Sequence, residues 1–170
     1  MTAAFLAFGL ATSLGAGEPS QLRAGSPAPL FETLDQYGHP FRLADRKGAW
    51  TVLYFYPKDG TPGCTKQACA FRDALKPIHD LGAQVFGVSR GDVKSHARFT
   101  RKHSLSFPLL ADPEGRVVDL YGAKGMLGWA KRWTFIIGPD LVIRDVERDV
   151  DPAADAQRVA AKLKELQKAR

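Results

Sequence analysis

Cysteine is scarce in this chain: two thiols, Cys64 and Cys69, stand among 170 residues. They allow one disulfide and no more, and the lack of a further Cys/His pair at zinc-finger spacing disfavours a four-ligand structural zinc site. Histidine is sparse too. His39, His79, His96 and His103 are too scattered to suggest a ligand set, so each is expected at the surface or in a turn. The chain carries a formal net charge of +6, yet its Lys and Arg residues are dispersed, with no run of five or more. With no zinc finger and no aromatic RNA-binding signature, the usual nucleic-acid readings fall away. The dispersed charge reads as solvated faces, with some attraction for acidic proteins or an anionic membrane.

Long apolar runs are also missing. The twelve residues Ala3 to Leu14 are almost wholly small or apolar, and Met1 to Gly17 hold no charged side chain. That length suits the apolar region of a signal peptide and falls short of the roughly 20 residues that span a bilayer. Gly15 and Gly17 supply a small-x-small pattern before Glu18, although no Lys or Arg precedes the apolar run. An export segment over residues 1–17 is therefore expected, placing the protein in the periplasm. An uncleaved anchor, a misplaced start and a cytoplasmic location are the alternatives. The remainder, 18–170, has no repeat, low-complexity tract or linker after residue 25. With 45% hydrophobic and 25% charged residues overall, it suits one globular domain with its own core.

Within that domain, Gln36-Tyr37-Gly38-His39-Pro40 reads as the turn of an N-terminal β-hairpin. Thr51 to Tyr56 is a continuous β-branched and aromatic run, expected as a central strand covered on both faces. Ala68, Phe71, Leu75 and Ile78 recur at helical spacing, with Pro77 ending or kinking the helix. Gln84 to Ser89 reads as a strand and Asp92 to His103 as a helix. Trp133 to Ile137 and Leu141 to Val146 read as an antiparallel hairpin around Gly138-Pro139-Asp140. Asp151-Pro152 supplies a cap and first-turn proline for a last helix with Val159, Leu163 and Leu166 on one stripe. Alternating strands and helices followed by a hairpin and a helix predict an α/β sandwich, a mixed sheet flanked by helices.

Cys64 stands out because the turn Thr61-Pro62-Gly63 delivers it from a strand into the first turn of a helix. Unpaired N–H groups and the positive end of the helix dipole favour a thiolate there. A buried, inert cysteine is the competing reading, but a thiol on a turn after Pro-Gly fits it poorly.

The run Phe55-Tyr56-Pro57-Lys58-Asp59-Gly60-Thr61-Pro62-Gly63-Cys64-Thr65-Lys66-Gln67-Ala68-Cys69 resembles the peroxidatic motif of peroxiredoxins. It is most similar to the bacterioferritin comigratory protein, or peroxiredoxin Q, subfamily, where a second cysteine follows the first by five positions. The resemblance runs from about Gly25 to the C-terminus. It implies a thioredoxin-like fold and a thiol peroxidase that reduces hydrogen peroxide and organic hydroperoxides. Thioredoxin or another dithiol protein would recycle it, and no metal, haem or flavin takes part.

It also implies the site. Cys64 attacks the peroxide oxygen. The Thr61 hydroxyl, the N–H groups around Gly63 and Cys64, and an arginine just before a Thr-Phe strand hold the peroxide. Lys131-Arg132-Trp133-Thr134-Phe135 carries that last pattern at Arg132. Pro62 sets the turn and shields the sulfur. Gln67 stands where many relatives have a glutamate, which weakens its expected hold on Arg132. Trp133 stands where a small residue is more usual, which bears on the pose of Arg132.

Cys69 would be the resolving thiol. Five helical residues rise about 7.5 Å and rotate about 140°, so the two Cα atoms of a continuous helix lie about 8–9 Å apart. Disulfide closure needs less than about 7 Å, so the helix start must unwind first. With both thiols on one helix, a monomer suffices. Two other readings compete: a protein thiol–disulfide oxidoreductase, for which C-x4-C is the wrong spacing, and a non-catalytic holdase or interaction module on the same fold.

Overall fold

The structure, a computed structural model, describes residues 22–169. The export segment expected over residues 1–17 lies outside them. Strands β1 (Glu32–Asp35) and β2 (Pro40–Arg42) form the expected N-terminal hairpin, and Gln36 in its turn anchors it. The Gln36 amide donates to the Phe107 carbonyl at 3.3 Å and accepts from the Leu109 N–H at 2.9 Å. Next come β3 (Trp50–Phe55), α1 (Pro62–Asp73), α2 (Leu75–Asp80), β4 (Ala83–Ser89) and α3 (Val93–His103). The chain closes with β5 (Leu109–Ala111), α4 (Arg116–Leu120), β6 (Trp133–Ile137), β7 (Ile143–Glu147) and α5 (Asp155–Lys168).

The seven strands make one sheet in the order β2-β1-β5-β4-β3-β6-β7. β3, β4 and β5 are parallel to one another; the other neighbours pair antiparallel. Side chains of β3 alternate between faces, as the twofold period of a strand requires. Val52 and Tyr54 point into a core closed by Phe71, Ile78, Phe99, Val159 and Leu163. Leu53 and Phe55 point the other way, toward Phe31, Phe41, Val118 and Tyr121. All six residues of β3 are buried, so the strand feeding Cys64 is covered on both faces of the sheet. Burying each large apolar side chain contributes about 1.5–3 kcal/mol.

Three boundaries differ from the expectation. The long helix breaks at Ala74, three residues before Pro77, and Pro77 lies inside α2. A proline lacks the N–H that would bond residue 73 and its ring crowds that carbonyl, so the strain falls one turn earlier. Asp151 does not cap α5: its carboxylate accepts from the Ala153 N–H at 2.8 Å, forming a turn that delays the helix to Asp155. Leu141, with φ 62°, belongs to the turn after β6 and not to β7. The unpredicted β5 and α4 are three and five residues long, too short for periodicity to reveal.

Candidate active site

Cys64 is the third residue of α1, after the N-cap Thr61, Pro62 at the first helical position and Gly63. Its thiol is buried, whereas Cys69, two-thirds of the way along the same continuous helix, is partly exposed. No side chain caps the helix start. The Thr61 hydroxyl donates backward to the Lys58 carbonyl at 3.2 Å, so it does not cap the first amides of the helix, whose positive end lies beside Cys64. Pro62 is exposed and sets the first turn.

Arg132 reaches this thiol from the residue before β6. Its Nη2 lies 3.5 Å from Cys64 Sγ and its Nη1 donates to Gln67 Oε1 at 2.7 Å. The guanidinium thus sets positive charge beside the sulfur while its other arm is fixed. Trp133 does not disturb this, because adjacent residues of a strand face opposite ways. Its ring packs against the core on the far face, between Lys131 Nζ at 4.7 Å and Arg148 at 4.8 Å.

Gln67 is fully buried and bonded at both ends: its Nε2 donates to Asp155 Oδ2 at 2.8 Å. The same oxygen accepts from Thr134 Oγ1 at 2.7 Å, and Oδ1 faces Arg158 Nε at 3.3 Å. The missing glutamate charge is therefore present one bond further away, at Asp155. A neutral amide relays it to the guanidinium. Asp155 was not legible as a site residue, since an acid in the first turn of a C-terminal helix reads as a dipole partner.

Gly63 leaves room for the approach of Arg132. A Cβ on Gly63 would lie 3.1 Å from Arg132 Nη2, tight enough that the guanidinium, held by Gln67, would have to give by a few tenths of an ångström. Gly63→Ala is expected to push the guanidinium from the sulfur and slow thiol oxidation by about tenfold or more, since small misplacements of a catalytic group cost rates of this order. Single-turnover thiol oxidation measures it, and an unchanged rate would show that the close approach is dispensable.

A second buried cluster fixes the loop before Thr61. Asp59 accepts from Tyr56 OH at 2.8 Å and from Ser95 Oγ at 2.6 Å, and His96 Nδ1 lies 2.8 Å from its Oδ2. His96 Nε2 faces the Leu110 carbonyl at 3.2 Å. His96 is completely buried, which corrects the expectation of a surface or turn histidine: it ties α3 to the Cys64 loop. A histidine on a helix gives no sign in the sequence of which acid it will meet. Gly91 is needed beside it, because a Cβ there would come within 2.6 Å of the ring.

Burial alone would push the Asp59 carboxyl up, but the bonds and charge of His96, with the bonds from Ser95 and Tyr56, outweigh it and hold it below the usual carboxylate range. A lowered folded-state value means that the stabilisation is complete above the unfolded value of about 3.9 and is lost as pH falls through the folded one. Wild-type urea midpoints are expected to fall steeply below about pH 4. Asp59→Asn is expected to cost about 1–3 kcal/mol at pH 7, where it leaves buried donors unpaired, and to flatten the acid limb. Equal acid slopes in the two proteins would refute this assignment.

A cavity of about 540 Å³ lined by Glu32, Asp92, Ala111, Asp112 and Arg116 contains none of these residues. Thiol, guanidinium and helix start meet instead at Cys64.

Residues 24–146 match the model of the AhpC/TSA family. The putative peroxiredoxin bcp of Coxiella burnetii is 38% identical over 149 residues, 84% of this chain and 99% of that protein. Peroxidoxin BcpB of Mycobacterium tuberculosis superposes with a TM-score of 0.80 at 36% identity, covering 85% of this chain and 98% of that one. The bacterioferritin comigratory protein of Xanthomonas campestris, solved in trapped intermediate/ligand complexes bearing on its alkyl peroxide reduction, gives 0.77 at 31%, covering 82% and 98%. The chain spans about half the length of the chloroplastic peroxiredoxin Q relatives it matches. Sheet, helices and these superpositions establish the thioredoxin-like fold of peroxiredoxins, and the chain belongs to the AhpC/TSA family, in its Bcp/peroxiredoxin Q subfamily.

Proposed function

We propose that this protein is a thiol peroxidase in which Cys64 reduces hydrogen peroxide and organic hydroperoxides and Cys69 resolves the product. The observation that carries this reading is the Arg132 guanidinium, 3.5 Å from Cys64 Sγ and fixed by Gln67 at 2.7 Å, at the start of α1. The Cys64 thiolate attacks one peroxide oxygen, the O–O bond breaks, and the leaving oxygen departs as hydroxide or alkoxide and takes up a proton. Arg132 and the first amides of α1 stand where the developing charge needs donors. The Thr61 hydroxyl, at the same helix start, would turn from the Lys58 carbonyl to orient the second oxygen.

The resulting Cys64 sulfenic acid is attacked by the Cys69 thiolate, releasing water and leaving a disulfide. While α1 is continuous the two Cα atoms stay about 8–9 Å apart, beyond disulfide reach, so its first turns must unwind. A dithiol protein of the thioredoxin type then takes the disulfide and restores both thiols. One chain completes this cycle, which supports a working monomer.

Stopped-flow oxidation with substoichiometric hydrogen peroxide, followed by mass spectrometry, tests the scheme. Wild type is expected to yield a single intramolecular Cys64–Cys69 bridge. Cys69→Ser is expected to keep the rapid first oxidation and lose turnover with thioredoxin. If Cys69→Ser recycled normally, Cys69 would be only a packing residue.

A further inference from the structure

The segment from Lys124 to Lys131 carries the largest apolar exposure in the described chain. Met126 is 89% exposed, Leu127 90% and Trp129 47%. The loop is not loose. Lys124 bridges Ala130, the Gly125 N–H donates to the Trp129 carbonyl at 2.7 Å, and the Lys131 N–H donates to the Ala123 carbonyl at 2.6 Å. Arg90 Nη1 pins it from outside by donating to the Gly128 carbonyl at 2.8 Å. Leu127 occupies the tip at φ 57°, a left-handed conformation that favours Gly or Asn over a branched apolar residue. Neither the fold nor the Cys64 chemistry uses its side chain.

Cations flank the loop. Lys58 Nζ lies 5.8 Å from the Trp129 ring, and Lys131 and Arg148 bracket Trp133. Lys124 is 60% exposed, 3.5 Å from Asp119. The loop also adjoins the thiol site at two points. Lys58 touches Trp129 and, through its carbonyl, holds Thr61 at 3.2 Å; Lys131 directly precedes Arg132.

Three protruding side chains are a small patch. A fully exposed large aromatic offers only about 150–250 Å², while a stable protein interface needs about 800 Å² per partner. Leu, Met and Trp rimmed by Lys and Arg instead match the boundary of an anionic bilayer, where apolar groups sink among the acyl chains, Trp sits at headgroup level and the basic groups meet phosphates. We propose that the Lys124–Lys131 loop seats this protein on anionic lipid bilayers, bringing the Cys64 site to acyl-chain hydroperoxides at the membrane surface. The second half of this inference rests on the peroxidase reading; the first does not.

Co-sedimentation of the full chain with phosphatidylcholine vesicles, with and without phosphatidylglycerol, separates the two halves because no peroxide is present. Phosphatidylglycerol is expected to raise binding, and the double substitution Met126→Ser/Leu127→Ser to lower it by about tenfold or more, as loss of two buried apolar side chains implies. Residues 1–17 are common to both proteins, so the difference reports the loop. The double variant is expected to reduce vesicle-borne phospholipid hydroperoxide several-fold more slowly, while its rate with hydrogen peroxide is unchanged. Equal binding by both proteins, or binding indifferent to phosphatidylglycerol, would overturn the inference. So would a wild-type dimer abolished by the double substitution, which would make the loop a contact between copies. Inactivity toward every peroxide with binding intact would sink the peroxidase reading alone.

Discussion

Replacing Cys64 with serine is expected to abolish peroxide reduction, leaving only the slow reaction of Cys69. Serine keeps the shape of the site, and its hydroxyl can still accept from Arg132, so the fold and the urea midpoint should change little. What is lost is the polarizable nucleophile. The remaining thiol lies five residues along α1, away from the free amides of the helix start. Losing such transition-state donors costs about 10²–10³ in rate by itself, so peroxide consumption should drop by at least that factor. A residual rate within tenfold of wild type would move the nucleophile elsewhere and undo the assignment of Cys64.

The second large effect concerns Arg132. Its guanidinium has two separate duties that a point charge cannot share: one arm bonds Gln67 at 2.7 Å and the other faces the sulfur at 3.5 Å. Arg132→Met is expected to slow Cys64 oxidation by about 10²–10³, the usual cost of removing a preorganised donor at the developing charge. Arg132→Lys should recover only a small part, because an ammonium restores charge without the fork that the Gln67–Asp155 relay orients. Second-order rate constants from single-turnover oxidation would measure both. Full recovery by lysine would mean that only the field matters and that the Gln67 bond is incidental.

Much of this site was legible in the chain. Thr61, Pro62, Gly63 and Cys64 are contiguous, and a strand running into Pro-Gly and a helical stripe obliges the thiol to sit near the helix start. Arg132 was legible only through its Thr-Phe neighbours, since one arginine among many dispersed cations has no mark of its own. The bond of Gln67 to Arg132 was suggested by its place three residues after Cys64, on the same face of the helix. That Gln67 is neutral looked like a weakness, and the buried Asp155 behind it removes the weakness. The His96–Asp59 pair stayed invisible for the same reason: its members are 37 positions apart, and only the parallel crossover from β3 to β4 brings α3 against the Cys64 loop.

The sequence by itself determined the order of the longer strands and helices and the turn that sets Cys64 at a helix start, because those depend on local period, turn chemistry and helix ends; the short β5 and α4 escaped it. Tertiary structure alone decided which charges meet. Packing α1 and α5 on one face of β6 buries Gln67, Thr134 and Asp155 together. Once these groups are out of water each must find a partner, since an unpaired buried polar group costs more than a typical hydrogen bond returns. That requirement, which no stretch of the chain expresses alone, fixes the direction of Arg132 and with it the chemistry at Cys64.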